Sequence, residues 1–199
     1  MKADEAAESM DLDREEDSFK RRAAVMIAFF AMLLAITGLG SNNAMKEAIN
    51  NNIEASNAFA FFQAKNVRQT TLNLSANEIE LGWLNVPNLS EEARSKLAAK
   101  LADYRKTAAR YETEPDTGEG KRELLAKARE HSAKRDHALK QDPYFDYAEV
   151  LLQITIVLIS ISIVADQRWL TGVGAAFGIL GGLLTLNGFL LLVHIPGFG

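Results

Sequence analysis

The sequence contains no cysteine and few of the residue groupings on which catalysis depends. Without cysteine the chain has no disulfide, no thiol nucleophile and no cysteine-based metal site. His131 and His137 are not spaced to share one helix face, and His194 is remote, so no histidine metal triad is evident. Neither a glycine-rich phosphate loop nor a nucleophile elbow occurs. We therefore predict a protein that is not an enzyme and has no cofactor.

An excess of positive charge is also missing from the polar part of the chain. Residues 41–147 hold sixteen Lys and Arg against sixteen Asp and Glu, so this segment offers no basic surface for nucleic acid. Residues 1–19 hold eight acidic residues against Lys2 and Arg14 and are strongly acidic. We predict no nucleic-acid partner.

Three long apolar stretches are present, at residues 23–39, 147–165 and 169–195. Each approaches or exceeds the roughly 20 apolar residues that cross a bilayer. They predict an all-α membrane protein with three transmembrane helices and one large extramembrane segment. The predicted division is an acidic tail (1–22), helix 1 (23–40), an extramembrane α-helical domain (41–146), helix 2 (147–165), a turn (166–168), helix 3 (169–195) and a tail (196–199).

Basic residues beside the spans predict the orientation. Lys20, Arg21 and Arg22 precede the first span, and Arg168 lies in the turn between the last two. The positive-inside rule places both groups in the cytoplasm and the helical domain outside. The alternative, a cleaved signal peptide at 23–40, is disfavoured by the long acidic region before it and by the lack of a clear cleavage site.

Pro87, Pro115 and Pro143 divide the polar segment into helical blocks at about 42–84, 90–113 and 119–141, and Pro196 ends the last span. Asp142 and Pro143 resemble the N-cap and first residue of a helix that enters the membrane. Apolar residues at helical spacing predict the buried faces of an α-helical hairpin or coiled coil. Those faces are Leu97, Leu101, Tyr104, Ala108 and Tyr111 in the second block, Leu125, Ala128, Ser132 and Leu139 in the third, and Ile49, Ile53, Ala60, Val67 and Leu74 in the first.

Two segments of the chain resemble a known family. Residues 50–69 read NNNIEASNAFAFFQAKNVRQ, and residues 142–149 read DPYFDYAE. These segments are similar to the bacterial family catalogued as domain of unknown function 4337, whose first motif runs roughly N-x-A-S-D-x-W-A-x-Y-Q-A-K-S-x-x-Q. Asn57, Phe59 and Phe62 stand where the family has an acid, Trp and Tyr. The resemblance implies a small three-span bacterial membrane protein, expected in the inner membrane, and implies no activity.

The first motif contains the candidate protein-interaction surface. It combines aromatic anchors with a polar rim, as interfaces do, and comprises Phe59, Phe62, Gln63, Lys65, Arg68 and Gln69. The alternative is that the aromatic rings pack against the other two helical blocks while the polar residues face water.

The last span contains the candidate helix-packing surface. Gly174, Gly178 and Gly182 repeat every four residues, a pattern that permits close approach of another helix. We expect the second span of the same chain to be the partner, since a short turn already joins the two. Contact with another copy is the alternative.

Polar side chains within the spans are few, and the candidates are Glu149, Gln153 and Asn187. Glu149 and Asn187 reach similar depths, which predicts a hydrogen bond between the antiparallel second and third spans. An ion or proton pathway would require more charged groups.

Together these features predict a non-enzymatic accessory or assembly subunit, or a self-associating scaffold, that acts through its helical domain. Its expected partners are membrane lipid and either another protein or further copies of itself. The alternative is a small homo-oligomeric transporter or channel, for which a polar stripe along a whole span would be expected.

Overall fold

A computed structural model describes residues 3–84 and 88–195, with side chains described for 14–83 and 88–195. Four α-helices follow in the order α1 (Ala3–Leu84), α2 (Glu91–Glu112), α3 (Lys121–Val164) and α4 (Arg168–Leu190). No strand occurs among the described residues, so the predicted all-α class is confirmed. The boundary predicted at Pro87, the end of a span at Pro196 and the tail 196–199 lie outside the described residues.

Three of the four helices are long and apolar enough to cross a membrane. The most apolar windows of α1, α3 and α4 have mean hydropathies of 2.3, 2.1 and 1.7, and each holds at most two charged residues. A bilayer needs about 20 such residues at 1.5 Å per residue. This finding indicates a membrane protein.

The chain divides into two compact units. The apolar unit falls within Met1–Ala48 and Asp136–Gly199, and the charged unit is Ile49–Arg135. The apolar unit packs α1, α3 and α4 around Ala23, Phe30, Leu152 and Ile159. Its exposed side chains are largely aliphatic, which suits contact with lipid rather than water.

In the charged unit, α2 begins as the sequence predicts. The Ser90 hydroxyl accepts a hydrogen bond from the Ala93 N–H at 3.3 Å and caps the helix. The predicted apolar face of α2 is turned inward: Ala108 is buried, and Leu97, Leu101, Tyr104 and Tyr111 are partly buried. In α3, Ala128 is fully buried and Leu125 partly buried, whereas Leu139 is exposed, contrary to prediction.

The predicted buried face of the first block is wrong. Its large side chains point outward: Ile49, Ile53, Val67 and Leu74 are all at least half exposed. The buried positions of α1 in the charged unit are instead the small residues Ala55, Ala58 and Ala76. Small side chains permit close helix approach, so the alanine face rather than the aliphatic face meets the other helices.

Two predicted helix boundaries are also wrong. Pro143 lies inside α3 instead of starting a helix. Tyr144 and Phe145 directly after it are almost fully buried, and their packing outweighs the hydrogen bond that proline cannot make. The helix of the third span ends at Leu190 rather than Ile195, because Leu191 adopts the left-handed conformation with φ of 46°.

Candidate interaction surfaces

A polar cluster joins all three helices of the charged unit. The Gln69 side-chain NH₂ donates to the Ala108 carbonyl at 2.9 Å and to Glu112 Oε2 at 3.2 Å. Lys121 Nζ donates to Gln69 Oε1 at 2.8 Å and to Glu112 Oε2 at 3.3 Å. Gln69 therefore satisfies both ends of its amide group within the unit and is not available as a docking residue.

The same cluster determines the electrostatics of Glu112. Hydrogen bonds from Gln69 and Lys121 stabilise the carboxylate and hold the pKa of Glu112 below its ordinary value. Arg122 Nε adds a contact to Glu112 Oε1 at 3.4 Å. The charged form is thus part of the folded arrangement at the junction of α1, α2 and α3.

Lys65 and Phe62 are also engaged within the charged unit. Lys65 Nζ lies 3.5 Å from Glu114 Oε2 and 5.7 Å from the centre of the Tyr111 ring. Lys121 Nζ lies 5.7 Å from the centre of the Phe62 ring. These cation–π and ionic contacts attach α1 to the end of α2 and the start of α3.

The loop between α2 and α3 depends on Gly120 and Glu123. Glu123 Oε2 accepts a hydrogen bond from the Glu114 N–H at 3.2 Å, and Oε1 accepts one from the Thr113 hydroxyl at 2.6 Å. The hydrogen bond from Thr113 is the largest cause that lowers the pKa of Glu123, and the hydrogen bonds from backbone N–H groups lower this pKa further. A Cβ atom at Gly120 would lie within 3.0 Å of Glu123 and of the backbone at 113 and 114, so this position requires glycine.

The six predicted interaction residues therefore do not form one free surface. The side chains of Phe62, Lys65 and Gln69 are partly buried inside the charged unit. For the Phe62 ring this agrees with the alternative interpretation, in which the aromatic rings pack against the other helical blocks. For Lys65 and Gln69 it does not, because that interpretation places the polar side chains in water. Gln63 and Arg68 are exposed, and Phe59 is 39% exposed.

An outer stripe on α1 was missed as a surface. It consists of Ile53, Ala60, Val67, Leu74 and Leu81, which follow one another at intervals of seven and are all exposed. The four large side chains are 51–64% exposed. Residues 55–77 contain only two charged side chains, whereas α2 contains ten in its 22 residues. The exact seven-residue spacing, together with the small number of charged side chains in 55–77, is the sequence signal that could have identified this surface.

The glycine face of α4 contacts two helices. A Cβ atom at Gly174 would lie 2.9 Å from Ile159 Cγ1 of α3, as the predicted pairing with the second span requires. At Gly178 it would lie within 3.0 Å of three ring carbons of Phe30, and at Gly182 it would lie 3.3 Å from Leu33, both in α1. The expectation that the whole face meets the second span is therefore wrong for Gly178 and Gly182.

Hydroxyl pairs connect the helices of the apolar unit. Thr37 of α1 and Thr185 of α4 are both buried, with their hydroxyl oxygens 2.7 Å apart. Ser162 and Thr171 pair at the same distance beside the turn between α3 and α4. The hydroxyls of Thr37, Thr185 and Ser162 each also lie within donating distance of a carbonyl oxygen of their own helix.

The predicted hydrogen bond between Glu149 and Asn187 is not formed. The Asn187 amide instead closes the end of α4, donating to the Val193 carbonyl at 2.8 Å and accepting from the Val193 N–H at 2.9 Å. Glu149 faces α1, where a Cβ at Gly38 would meet its Oε1 at 3.2 Å. Within the described residues, Glu149 has neither a hydrogen-bond partner nor an ionic partner, and Gln153 is exposed.

Comparison with known families is decisive for classification. A family model described as a domain of unknown function (DUF4337) matches residues 19–191. The chain belongs to this family. The resemblance of the two motifs is thereby confirmed. No curated protein and no solved structure matches the chain.

The two DUF4337 motifs occupy different structural settings. Residues 50–69 lie on α1 in the charged unit and supply both the polar cluster and part of the outer stripe. Residues 142–149 lie on α3 in the apolar unit, where Tyr144, Phe145 and Ala148 are buried. The second motif therefore contributes to the packing of the helices, and the first contributes both packing and an exposed face.

Proposed function

We propose that this protein is a non-enzymatic scaffold, anchored in a membrane by α1, α3 and α4, that associates with further copies of itself through the outer stripe of α1. The observation that carries the proposal is the exposed heptad repeat from Ile53 to Leu81. A seven-residue apolar repeat favours packing against a helix with the same repeat.

A second copy fits this surface better than an unrelated partner. Copies inserted in one membrane in one orientation would present their α1 helices parallel, so identical residues would face each other. Between residues 55 and 77 the only charged side chains are Lys65, which faces inward, and Arg68. Symmetric pairing of this face therefore brings few like charges together.

The polar residues flanking the stripe limit the strength of this association. Ser56, Gln63 and Thr70 occupy the positions three residues after stripe residues, where a strong coiled coil would have Leu. We therefore expect an association that the shared membrane promotes, since anchoring raises the effective concentration of the copies.

The test substitutes Val67 with glutamate in the full-length protein and measures the mass of the particle by native mass spectrometry directly from membrane vesicles, which keep the copies in one shared membrane. A fully buried aliphatic side chain contributes about 1.5–3 kcal/mol, and the substitution removes one from each of the two copies. We therefore expect an association that is at least roughly a hundredfold weaker. Ala102→Glu, at an exposed position of α2, is the matched control and should leave the mass unchanged. A wild-type protein that is monomeric, or a Val67→Glu oligomer of unchanged mass, would contradict the proposal.

The proposed location is the cytoplasmic membrane with the charged unit outside. Single cysteines at Ser95 and Asp166 test this orientation in intact cells, because the natural chain has no cysteine. An impermeant maleimide should label Ser95→Cys and not Asp166→Cys. The opposite labelling pattern would invert the orientation without affecting the proposed association.

A homo-oligomeric channel is a second candidate, and the lipid-facing side of α3 supports it. Gln153 is exposed, eleven residues before the end of α3 at Val164, or about 16 Å along the axis. That depth is near the middle of a hydrocarbon core about 30 Å thick, where an amide requires a polar partner. Glu149 lies one turn away.

Proton and ion flux into liposomes distinguishes the two candidates. A channel lined by α3 should lose flux in Gln153→Leu and in Glu149→Gln. A scaffold that associates through α1 should show no flux in the wild-type protein or in either variant, and its association should survive Gln153→Leu.

A further inference from the structure

A cavity at one end of the apolar unit combines basic side chains with an apolar wall. Its volume is about 590 Å³, within the range of small-ligand sites. The basic side chains are His137, Lys140 and His194, all exposed. The apolar wall consists of Leu190, Leu191 and Val193.

Hydrogen bonds hold the wall of this cavity in place. The Tyr144 hydroxyl, on a side chain that is 2% exposed, donates to the Val193 carbonyl at 3.1 Å and accepts from the Ile195 N–H at 3.0 Å. Asn187 binds both backbone groups of Val193, and Gln141 donates to the Phe189 carbonyl at 3.5 Å. The segment after α4 is therefore fastened to α3 and α4, and it keeps His194 beside the cavity.

The charges on α3 are segregated around this cavity. His137, Lys140 and Tyr144 share one helix face, whereas Asp142 and Asp146 lie about 140° and 180° from His137 around the axis. Asp136, which lies about 100° from His137 but only about 40° from Lys140, one turn before it, takes part in a further interaction. The cavity thus presents one full positive charge and two imidazoles, with the acids of Asp142 and Asp146 turned away.

The position of the cavity along the helices matches a membrane interface. The apolar stretch of α3 begins at Tyr147, one turn after the buried Tyr144, and α4 ends at Leu190, so the basic and aliphatic linings meet close to the end of each apolar run. Basic pockets at the ends of transmembrane helices bind anionic headgroups, with acyl chains along the neighbouring apolar surface.

We propose that this cavity binds an anionic phospholipid, with the phosphate at Lys140, His137 and His194 and an acyl chain along Leu190 and Val193. The inference is independent of self-association, because none of these residues belongs to the outer stripe of α1.

The test reconstitutes the full-length protein with phosphatidylglycerol or phosphatidylcholine and counts retained lipids by native mass spectrometry. We expect phosphatidylglycerol to be retained preferentially. Lys140→Gln should reduce its retention about fivefold, the effect of one basic residue at a membrane surface. Lys46→Gln is the matched control, since Lys46 is an exposed lysine on α1 of the same unit and does not line the cavity.

A lipid is distinguished from a free phosphate by two further measurements. Leu190→Ser should weaken retention of phosphatidylglycerol, and glycerol phosphate at the same concentration should not displace the lipid. Equal retention of both lipids, equal effects of Lys140→Gln and Lys46→Gln, or full displacement by glycerol phosphate would each overturn the proposal. Unchanged far-ultraviolet circular dichroism of the variants verifies that the fold is intact.

Discussion

Gly178→Ala is the sharpest perturbation of the packing between α4 and α1. The added Cβ would lie within 3.0 Å of Cε1, Cζ and Cδ1 of Phe30, a side chain that is only 6% exposed. Cβ atoms essentially never approach other heavy atoms so closely, so the ring of Phe30 must move within a packed core. Overpacking of this kind costs about 1–3 kcal/mol.

The helix propensity of alanine opposes that cost. Alanine is more favourable than glycine in a helix interior by roughly 0.8–1.0 kcal/mol. Gly172→Ala isolates this gain, because Gly172 lies on the same helix and nothing lies within 4 Å of its added Cβ. We therefore expect Gly172→Ala to be neutral or stabilising and Gly178→Ala to be less stable than Gly172→Ala by about 1–3 kcal/mol.

The assay is reversible unfolding of the full-length protein in detergent, followed by circular dichroism, for the single variants Gly172→Ala, Gly178→Ala and Phe30→Leu and for Gly178→Ala combined with Phe30→Leu. Space released by the smaller side chain should give a favourable coupling energy of at least about 0.5 kcal/mol. Equal stability of Gly172→Ala and Gly178→Ala, with no coupling to Phe30, would refute the proposed contact between α1 and α4.

Three further predictions concern other parts of the fold. Leu101→Asp places a charge on the covered face of α2 and should destabilise the charged unit by several kcal/mol in thermal unfolding, whereas Lys100→Asp, at an exposed position, should cost less than about 1 kcal/mol. Because the folded state lowers the pKa of Glu112, its contribution is complete above the ordinary carboxyl pKa and is lost as the pH falls through the lowered value. Glu112→Gln should therefore reduce stability at pH 7 by less than about 1 kcal/mol, and this difference from the wild-type protein should vanish under acid conditions. Asn187→Leu leaves the Val193 N–H without its partner, whereas the Val193 carbonyl keeps the Tyr144 hydroxyl; the change should cost about 1–3 kcal/mol, seen as faster hydrogen exchange at Val193, while Asn187→Asp keeps the acceptor and should cost less.

Local signals in the sequence determined the helical class, the three apolar segments and the start of α2. Each depends on a short-range property: the length of an apolar run, the spacing along α2, or the hydroxyl of Ser90 beside the first turn. The polar cluster was only half predictable, because spacing identified Gln69 as notable but could not show that its amide reaches Glu112, 43 positions away in sequence.

Tertiary structure alone decided which face of α1 is covered, that α3 continues through Pro143 and which helix meets Gly178. Periodicity shows that a face is apolar, but burial depends on how closely a neighbouring helix can approach, and alanines permit a closer approach than Ile53 or Val67. Pro143 continues α3 because the packing of the next turn outweighs one lost hydrogen bond. The contact between Gly178 and Phe30 joins residues 148 positions apart, and it exists only because three helices share one core.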